Sequence, residues 1–366
     1  MKKKTIVILA NHHIVLYKFR GELISTLLNA GYRVVLMLPY GETVDIMKNW
    51  GCEYIDVPML SRHRKNVVEE IQLINMYRKT FCSLRPDLIL SYTIKPNLYG
   101  GMVATMLKIP FIASITGLGM SIENRGVLQK IVKLMYSICL KRAYCTFAQN
   151  NKIKQFLLER KLSGKIVLVP GSGVNLEKHC YEEYPLSKDE IVFITVGRLM
   201  KDKGIDELLS AARMIKKQYP QIRFQLIGFD DGNYKEIVND AEKDKIVEYY
   251  GFQDNAHDWI AKSHAIIHAS YHEGMANVLL ESAAIGRPII ATNIEGCRET
   301  FEEGISGIGC KVRDAEDLAR AIRDFIELPY EQKVAMGIAG RRKMEKEFDR
   351  NIVVKAYLDE IKSLIG

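Results

Sequence analysis

Ala265-Ile-Ile-His-Ala-Ser-Tyr-His-Glu-Gly-Met-Ala-Asn-Val-Leu-Leu-Glu-Ser-Ala-Ala-Ile-Gly-Arg-Pro-Ile-Ile-Ala291 is the stretch that decides the fold. It opens on a short apolar run, Ala265–Ala269, and breaks at Gly274. It continues as a helix over Asn277–Ile285 and returns to a β-branched run at Ile289–Ala291. Strand, helix and strand in that order make a crossover between parallel strands covered by helices. Before it come a strand at Ile191–Val196, a helix at Ile205–Tyr219 and a strand at Phe224–Ile227. After it come helical stretches at Ala315–Glu327, Tyr330–Glu347 and Asn351–Leu364.

The first half repeats the alternation. Strands are expected at Thr5–Ala10, Arg33–Leu38, Tyr54–Val57, Leu88–Ser91, Phe111–Ile115, Cys145–Ala148 and Ile166–Val169, with helices such as Phe19–Ala30 and Val67–Leu84 between them. From Pro170 to Asp189 no period holds, and this segment reads as a linker. The expectation is an α/β chain of two doubly wound, Rossmann-like domains facing a cleft: 1–175, 176–349, and a last helix, 350–366, crossing back to the first. A length of 366 residues suits two domains.

Composition excludes several classes. Hydrophobic residues at 48% and charged residues at 26% rule out a disordered chain. Seven cysteines, an odd count with no Cys-x-x-Cys pair, argue against a disulfide framework or a structural zinc site and for a reducing compartment. The apolar run at the start ends at Asn11, too short for a secretory signal. No stretch has the roughly 18 apolar residues of a spanning helix. A cytoplasmic protein is expected.

Charge is uneven. Residues 1–180 carry 26 Lys+Arg against 11 Asp+Glu, or +15, and residues 181–366 carry 26 against 33, or −7. The basic half suits an anionic partner. Arg62-His63-Arg64-Lys65 and a helix at Val127–Ala143 bearing Lys130, Lys133, Lys141 and Arg142 suit the headgroups of anionic lipid. No nucleic-acid motif is present.

Two motifs carry chemistry. Glu273 and Glu281 stand eight residues apart, about 2.2 turns, across the start of the Asn277–Ile285 helix. The amides of Gly274, Met275, Ala276 and Asn277 open that helix, with its positive dipole end, onto a potential phosphate. A diphosphate there, flanked by carboxylates for sugar hydroxyls, fits a nucleotide-sugar. Alone, the same spacing reads as an acidic loop ahead of an ordinary amphipathic helix, with Glu281 solvated. The second motif, Gly197-Arg-Leu-Met-Lys-Asp-Lys-Gly204, follows the Ile191–Val196 strand. Arg198 and Lys203 can serve a diphosphate, the first as a planar fork and the second as a point charge, or form a solvated basic turn.

Together, Gly197-Arg198-Leu with Lys203-Gly204 and Glu273-Gly274 with Glu281 resemble the pattern of the family-4 retaining glycosyltransferases of GT-B fold. Gly286-Arg-Pro-Ile-Ile-Ala-Thr292, Gly296-Cys-Arg-Glu299 and Gly304-Ile-Ser-Gly307 look like its continuation. Phe19-Arg-Gly-Glu-Leu23, Tyr92-Thr-Ile-Lys-Pro-Asn-Leu-Tyr-Gly100, Ile115-Thr-Gly-Leu-Gly119 and Val169-Pro-Gly-Ser-Gly-Val174 are similar to one branch, the capsule and glycan-assembly enzymes that extend undecaprenyl-diphosphate sugars.

The resemblance implies a donor that is a nucleotide-sugar, UDP-linked, carrying a hexose or N-acetylhexosamine. It implies a lipid-linked sugar acceptor, peripheral contact with the inner face of the plasma membrane, and no metal or other cofactor. Arg198 and Lys203 would hold the diphosphate, Glu273 the donor sugar, Glu281 the ribose, and Gly274 to Asn277 the cradle. Two alternatives stand beside it: a GT-B sugar-nucleotide epimerase, and a non-catalytic nucleotide-sugar-binding partner.

Weaker candidates lie elsewhere. His13, after the first strand, and Thr116 and Gly117, after the fifth, are expected on the acceptor side. The family's histidine in the latter loop is missing here, since residues 113–119 contain none. His264 and His268 are expected to be structural, His272 to shape its loop, and Asp230-Asp231-Gly232 to form a turn rather than a metal site. No Gly-x-Gly-x-x-Gly follows the first strand, against a dinucleotide oxidoreductase.

Overall fold

The computed structural model describes residues 3–60, 67–117, 136–186, 190–232 and 234–366. The basic run at 62–65 and most of the 127–143 segment, with its Lys130 and Lys133, lie outside them. The chain divides into two compact units: Met1–Ser172 with Ile352–Gly366, and Gly173–Asn351.

The first unit holds a seven-stranded sheet in the order β3-β2-β1-β4-β5-β6-β7. The strands are β1 (Thr5–Leu9), β2 (Arg33–Leu38), β3 (Glu53–Asp56), β4 (Leu88–Tyr92), β5 (Phe111–Ile115), β6 (Cys145–Ala148) and β7 (Ile166–Leu168). Every pairing is parallel. In β1 side chains alternate between faces. Val7 and Leu9 join one core with Val35, Met37, Tyr77 and Phe81, and Ile6 and Ile8 join the other with Val34, Leu36 and Phe147. A strand buried on both faces must be apolar throughout, which is why it reads Thr-Ile-Val-Ile-Leu. The Arg350–Ile365 helix belongs mostly to this unit, and its Tyr357 ring stacks on Phe147 at 3.9 Å between centroids.

The second unit holds a six-stranded parallel sheet, β10-β9-β8-β11-β12-β13. Its strands are β8 (Val192–Val196), β9 (Arg223–Ile227), β10 (Glu248–Tyr249), β11 (Ala265–His268), β12 (Ile289–Thr292) and β13 (Gly307–Cys310). Ala265 and Ile267 face one core, Ile266 the other. Arg287, fully buried, donates to the carbonyls of Ala261, Glu182 and Glu183, so its charge is spread over backbone oxygens. These two sheets are the doubly wound pair expected.

Some elements differ from expectation. β10 is only two residues long, and glycines give β13 weak strand propensity, so neither is legible in the sequence. The first helix is His13–Asn29, beginning well before Phe19, because His12 caps it by accepting from the Ile14 amide at 3.2 Å. The helix expected over 330–347 is α-helical only to Lys343 and passes into a π-helical turn at Met344–Phe348.

In each sheet the chain builds one side, then returns to build the other. The reversal falls between β1 and β4 in the first unit and between β8 and β11 in the second. Such reversal points open a crevice beyond the strands' carboxyl ends, where ligands of these sheets bind. The segment carrying Arg198 and Lys203 leaves β8, and the segment carrying Glu273 leaves β11.

Candidate active site

The two loops at the β8/β11 reversal are locked together. Lys201–Lys203 forms a 3-10 turn ending at Gly204, whose φ is 69°. A Cβ on Gly204 would stand 2.1 Å from the carbonyl oxygen of Ala269, so only glycine lets the turn press on the end of β11. The Asp202 carbonyl accepts from the Tyr271 amide at 2.8 Å and the Ser270 hydroxyl at 3.2 Å. Lys203 is thereby delivered to Glu273, with Nζ to Oε1 at 2.5 Å.

The same Oε1 lies 2.9 Å from Nε2 of His268, the last residue of β11. A carboxylate only accepts, so Nε2 carries the proton. His268 is therefore not the purely structural residue expected: it is buried and braces the central carboxylate. The clue available in the sequence was its place at a strand's carboxyl end, five residues before Glu273. His264 does match the structural reading, its Nδ1 accepting from the Val192 amide at 3.1 Å.

Glu273 is mostly buried, its side chain 14% exposed. Burial alone would favour the neutral acid. The hydrogen bond and charge of His268, then the charge and bond of Lys203, outweigh it and hold the carboxyl at about 2. Glu273 thus stays anionic at neutral pH.

The backbone beside Glu273 is fixed from a third segment. Gly296, at φ 84°, approaches so closely that a Cβ would lie 2.9 Å from the Glu273 carbonyl oxygen and 2.8 Å from that of Gly274. Its own carbonyl accepts from the Ala276 amide at 2.8 Å. Met275 and Ala276 are buried, while Gly274 and Asn277 are half-buried. The Asn277–Ile285 helix then begins with no side chain among the described residues capping it. The Asn277 Oδ1 is buried without a hydrogen-bond partner among the described residues. An uncapped helix start at a sheet's reversal point is chemically a seat for an anion.

Arg198 and Lys203 engage different carboxylates: Arg198 pairs with Asp231, and Lys203 with Glu273. Asp230 does form the expected turn, its Oδ1 accepting from the amides of Gly232 at 3.2 Å and Tyr234 at 2.8 Å. Asp231, however, is more than a turn residue, because it sets the position of Arg198. Glu281 lies on the second turn of the helix, half-buried, its Oε1 3.9 Å from Nε2 of His179. His272 is exposed.

Two family models match the chain, one per half. Residues 5–150 match "Glycosyl transferase 4-like" and residues 181–343 match "Glycosyl transferases group 1". The chain is similar to the N,N'-diacetylbacillosaminyl-diphospho-undecaprenol alpha-1,3-N-acetylgalactosaminyltransferase of Campylobacter jejuni, at 24% identity over 94% of each chain. It is also similar to the capsular polysaccharide biosynthesis glycosyltransferase CapM of Staphylococcus aureus, at 24% identity over 74% of each. This is a glycosyltransferase.

The transferase has the GT-B fold. A glycosyltransferase from Rickettsia africae superposes with a TM-score of 0.80 at 18% identity, over 100% of this chain and 99% of that one. Anabaena HepE in complex with UDP and glucose does so at 0.78 and 14% identity, over 98% and 100%.

In the transferase's first unit, the candidate residues sit near the β1/β4 reversal. His13 follows β1, its Nδ1 2.8 Å from the Thr43 hydroxyl, its ring stacked on His12 and tucked against Gly41. Burial pushes its imidazole below the usual range, partly opposed by Glu42. Thr116 and Gly117 follow β5, next to β4, and are half-buried. A 690 Å³ cavity in the second unit, lined by Ile191, Ile222, His264, Tyr330 and Lys333, lies at the amino ends of β8, β9 and β11. It is at the wrong end of the sheet for this chemistry. Among the described residues no helix is long and apolar enough to cross a membrane.

Proposed function

We propose that this transferase moves a hexose or N-acetylhexosamine, with retention of anomeric configuration, from a UDP-sugar to a sugar carried on a lipid diphosphate in bacterial surface-glycan assembly. The observation that carries this reading is the Lys203–Glu273–His268 cluster beside an uncapped helix start, at the reversal point of the second sheet.

In the reaction the bond from the anomeric carbon to the diphosphate oxygen breaks, and the acceptor hydroxyl bonds to that carbon on the same face. The hydroxyl proton passes to the departing diphosphate. Charge grows on that diphosphate, so fixed positive groups supply most of the acceleration. Arg198, Lys203 and the amides that open the helix from Asn277 onward play that part, the Ala276 amide being already held by the Gly296 carbonyl. Glu273, held anionic, accepts from donor-sugar hydroxyls and steadies positive charge at the anomeric carbon. Glu281 accepts from the ribose hydroxyls. No protein group serves as nucleophile, and no metal is needed because the amides and cations do its work.

Support for the lipid-linked acceptor comes from the Campylobacter relative, which is named for an undecaprenol-linked diphospho-sugar and covers nearly all of the chain. Support for uridine comes from the UDP-bound Anabaena structures of the same fold. Support for a peripheral position on anionic membrane comes from the first unit. Lys108 and Arg142 line a 530 Å³ hollow with Ile109, Pro110 and Leu364, and Met106 and Ile138, close to them in sequence, are exposed, so apolar and cationic side chains share this unit's surface as they do on an interfacial protein. Thr116, Gly117 and His13 are read as acceptor-side residues.

The test is a thermal-shift screen with UDP, GDP, ADP and a panel of UDP-sugars, followed by transfer to an undecaprenyl-diphosphate-linked sugar and NMR of the new anomeric centre. Selective stabilisation by UDP and one UDP-sugar, then an axial product from an axial donor, is expected. No shift with any nucleotide in folded protein, or an inverted product, would overturn the reading.

A further inference from the structure

A second cluster of ligand-type side chains lies in the second unit, away from the Lys203–Glu273 pair. Cys180, Glu182 and His257 each bring one donor atom, and these atoms all lie within 4.8 Å of one another. Cys180 Sγ stands 3.4 Å from Glu182 Oε1, and that oxygen stands 3.6 Å from His257 Nε2.

Those spacings have a chemical meaning. Zinc binds thiolate sulfur at about 2.3 Å and imidazole nitrogen or carboxylate oxygen at about 2.0–2.2 Å. At tetrahedral angles such bonds place neighbouring ligand atoms roughly 3.4–3.6 Å apart. Two edges of a tetrahedron already have the right length before any ion is bound.

The backbone carrying these groups is held in place. The Glu182 amide donates to the Ile285 carbonyl at 3.0 Å, and buried Arg287 clamps the carbonyls of Glu182 and Glu183 at 3.0 and 2.7 Å. His257 comes from a different element, the Ala256–Ala261 helix. Its ring is largely buried, and Nδ1 has no partner among the described residues, which leaves Nε2 facing the other two ligands. Cys180 is exposed and Glu182 is 45% exposed, so an ion has a way in.

We propose that Cys180, Glu182 and His257 bind a borderline-soft divalent cation of the Zn²⁺ class, with the fourth position open to water. A thiolate, an imidazole and a carboxylate suit zinc and exclude magnesium and calcium, which take oxygen ligands. The ion clasps the chain segment at 180–182 to the Ala256–Ala261 helix. Beside it, His179 reaches toward Glu281, so the clasp stands behind the proposed ribose-binding carboxylate. It takes no part in sugar transfer, and its test does not depend on the transfer reading.

The test uses the full-length chain, freed of metal, titrated with Zn²⁺ against a chromophoric chelator. One equivalent is expected to bind, with affinity falling at least about tenfold in both Cys180→Ser and His257→Gln. Co²⁺ in place of Zn²⁺ should give the intense visible bands of a low-coordinate site with a thiolate-to-cobalt charge-transfer band that Cys180→Ser abolishes. At one fixed concentration Zn²⁺ should also raise the melting temperature of the wild type more than that of Cys180→Ser. Equal zinc affinity in the wild type and both variants, or a thiolate band that survives Cys180→Ser, would overturn the assignment. Because Cys180 is exposed, its serine variant is expected to fold as the wild type does.

Discussion

Replacing Glu273 by Gln removes a charge that half-buried Lys203 and buried His268 hold in place. Its carboxyl is drawn from 4.5 to about 2, a difference worth roughly 3 kcal/mol of preference for the ionised form in the folded chain. A depressed carboxylate stabilises the fold above its unfolded pKa, and that contribution is lost as pH falls through the folded one. The window therefore runs from about 4.5 down to about 2. At pH 7 the wild type should exceed Glu273→Gln by roughly 3 kcal/mol, and at pH 4 the gap should narrow by somewhat under 1 kcal/mol. The chain has two tryptophans, Trp50 in the first unit and Trp259 in the second. Urea titration in a Trp50→Phe background, read by Trp259 fluorescence, therefore reports the second unit alone. A gap below about 1 kcal/mol at pH 7, or one that widens on acidification, would refute the account of Lys203 and His268 as the groups that hold this carboxylate.

Lys203→Ala should lower kcat roughly a hundredfold or more, as loss of a charge-stabilising donor does, and near-normal turnover would remove Lys203 from the site. Glu281→Ala should act on the donor KM with kcat less affected, and an unchanged KM in steady-state assays would contradict the ribose role. EDTA should leave transfer largely intact, whereas abolition restored by a divalent ion would return Asp230 and Asp231 to consideration as ligands. Gly204→Ala should destabilise the second unit by at least about 1–3 kcal/mol, because it meets both an unfavourable φ and the Ala269 carbonyl; a wild-type urea midpoint would refute that close approach.

The sheets were legible because buried parallel strands must be apolar on both faces, as Thr5–Leu9 and Ala265–His268 are. Glu273 and Lys203 were legible because chemistry at a reversal point must use residues just past a strand's end. What escaped was set by distant contacts. His268 looks like strand from its neighbours, and only the fold turns its Nε2 onto Glu273. Asp231 reads as turn until the chain brings it to Arg198, thirty-three residues away in sequence. Cys180 and Glu182 meet His257 only after the Ala256–Ala261 helix is packed, so a search for paired cysteines passes over them. The glycine-containing β13 is specified by the strand beside it more than by its own propensity.

The sequence of the second unit is uninterrupted, whereas the first is written in two pieces, with Gly173–Asn351 between them. Lys4 donates to the backbone oxygens of Ile365 and Gly366, so the two ends of the chain are stitched together inside one sheet's surroundings. In sequence, then, the second unit is set inside the first. A stop codon near residue 350 would remove Tyr357 from beneath Phe147 and injure the amino-terminal half, although the deleted residues lie far from it in sequence. The first unit cannot complete its core until residues 352–366 have been made, by which point the second is already whole. A short peptide joining Gly366 to the start, with new ends opened on an exposed loop, should be accepted without loss of either core.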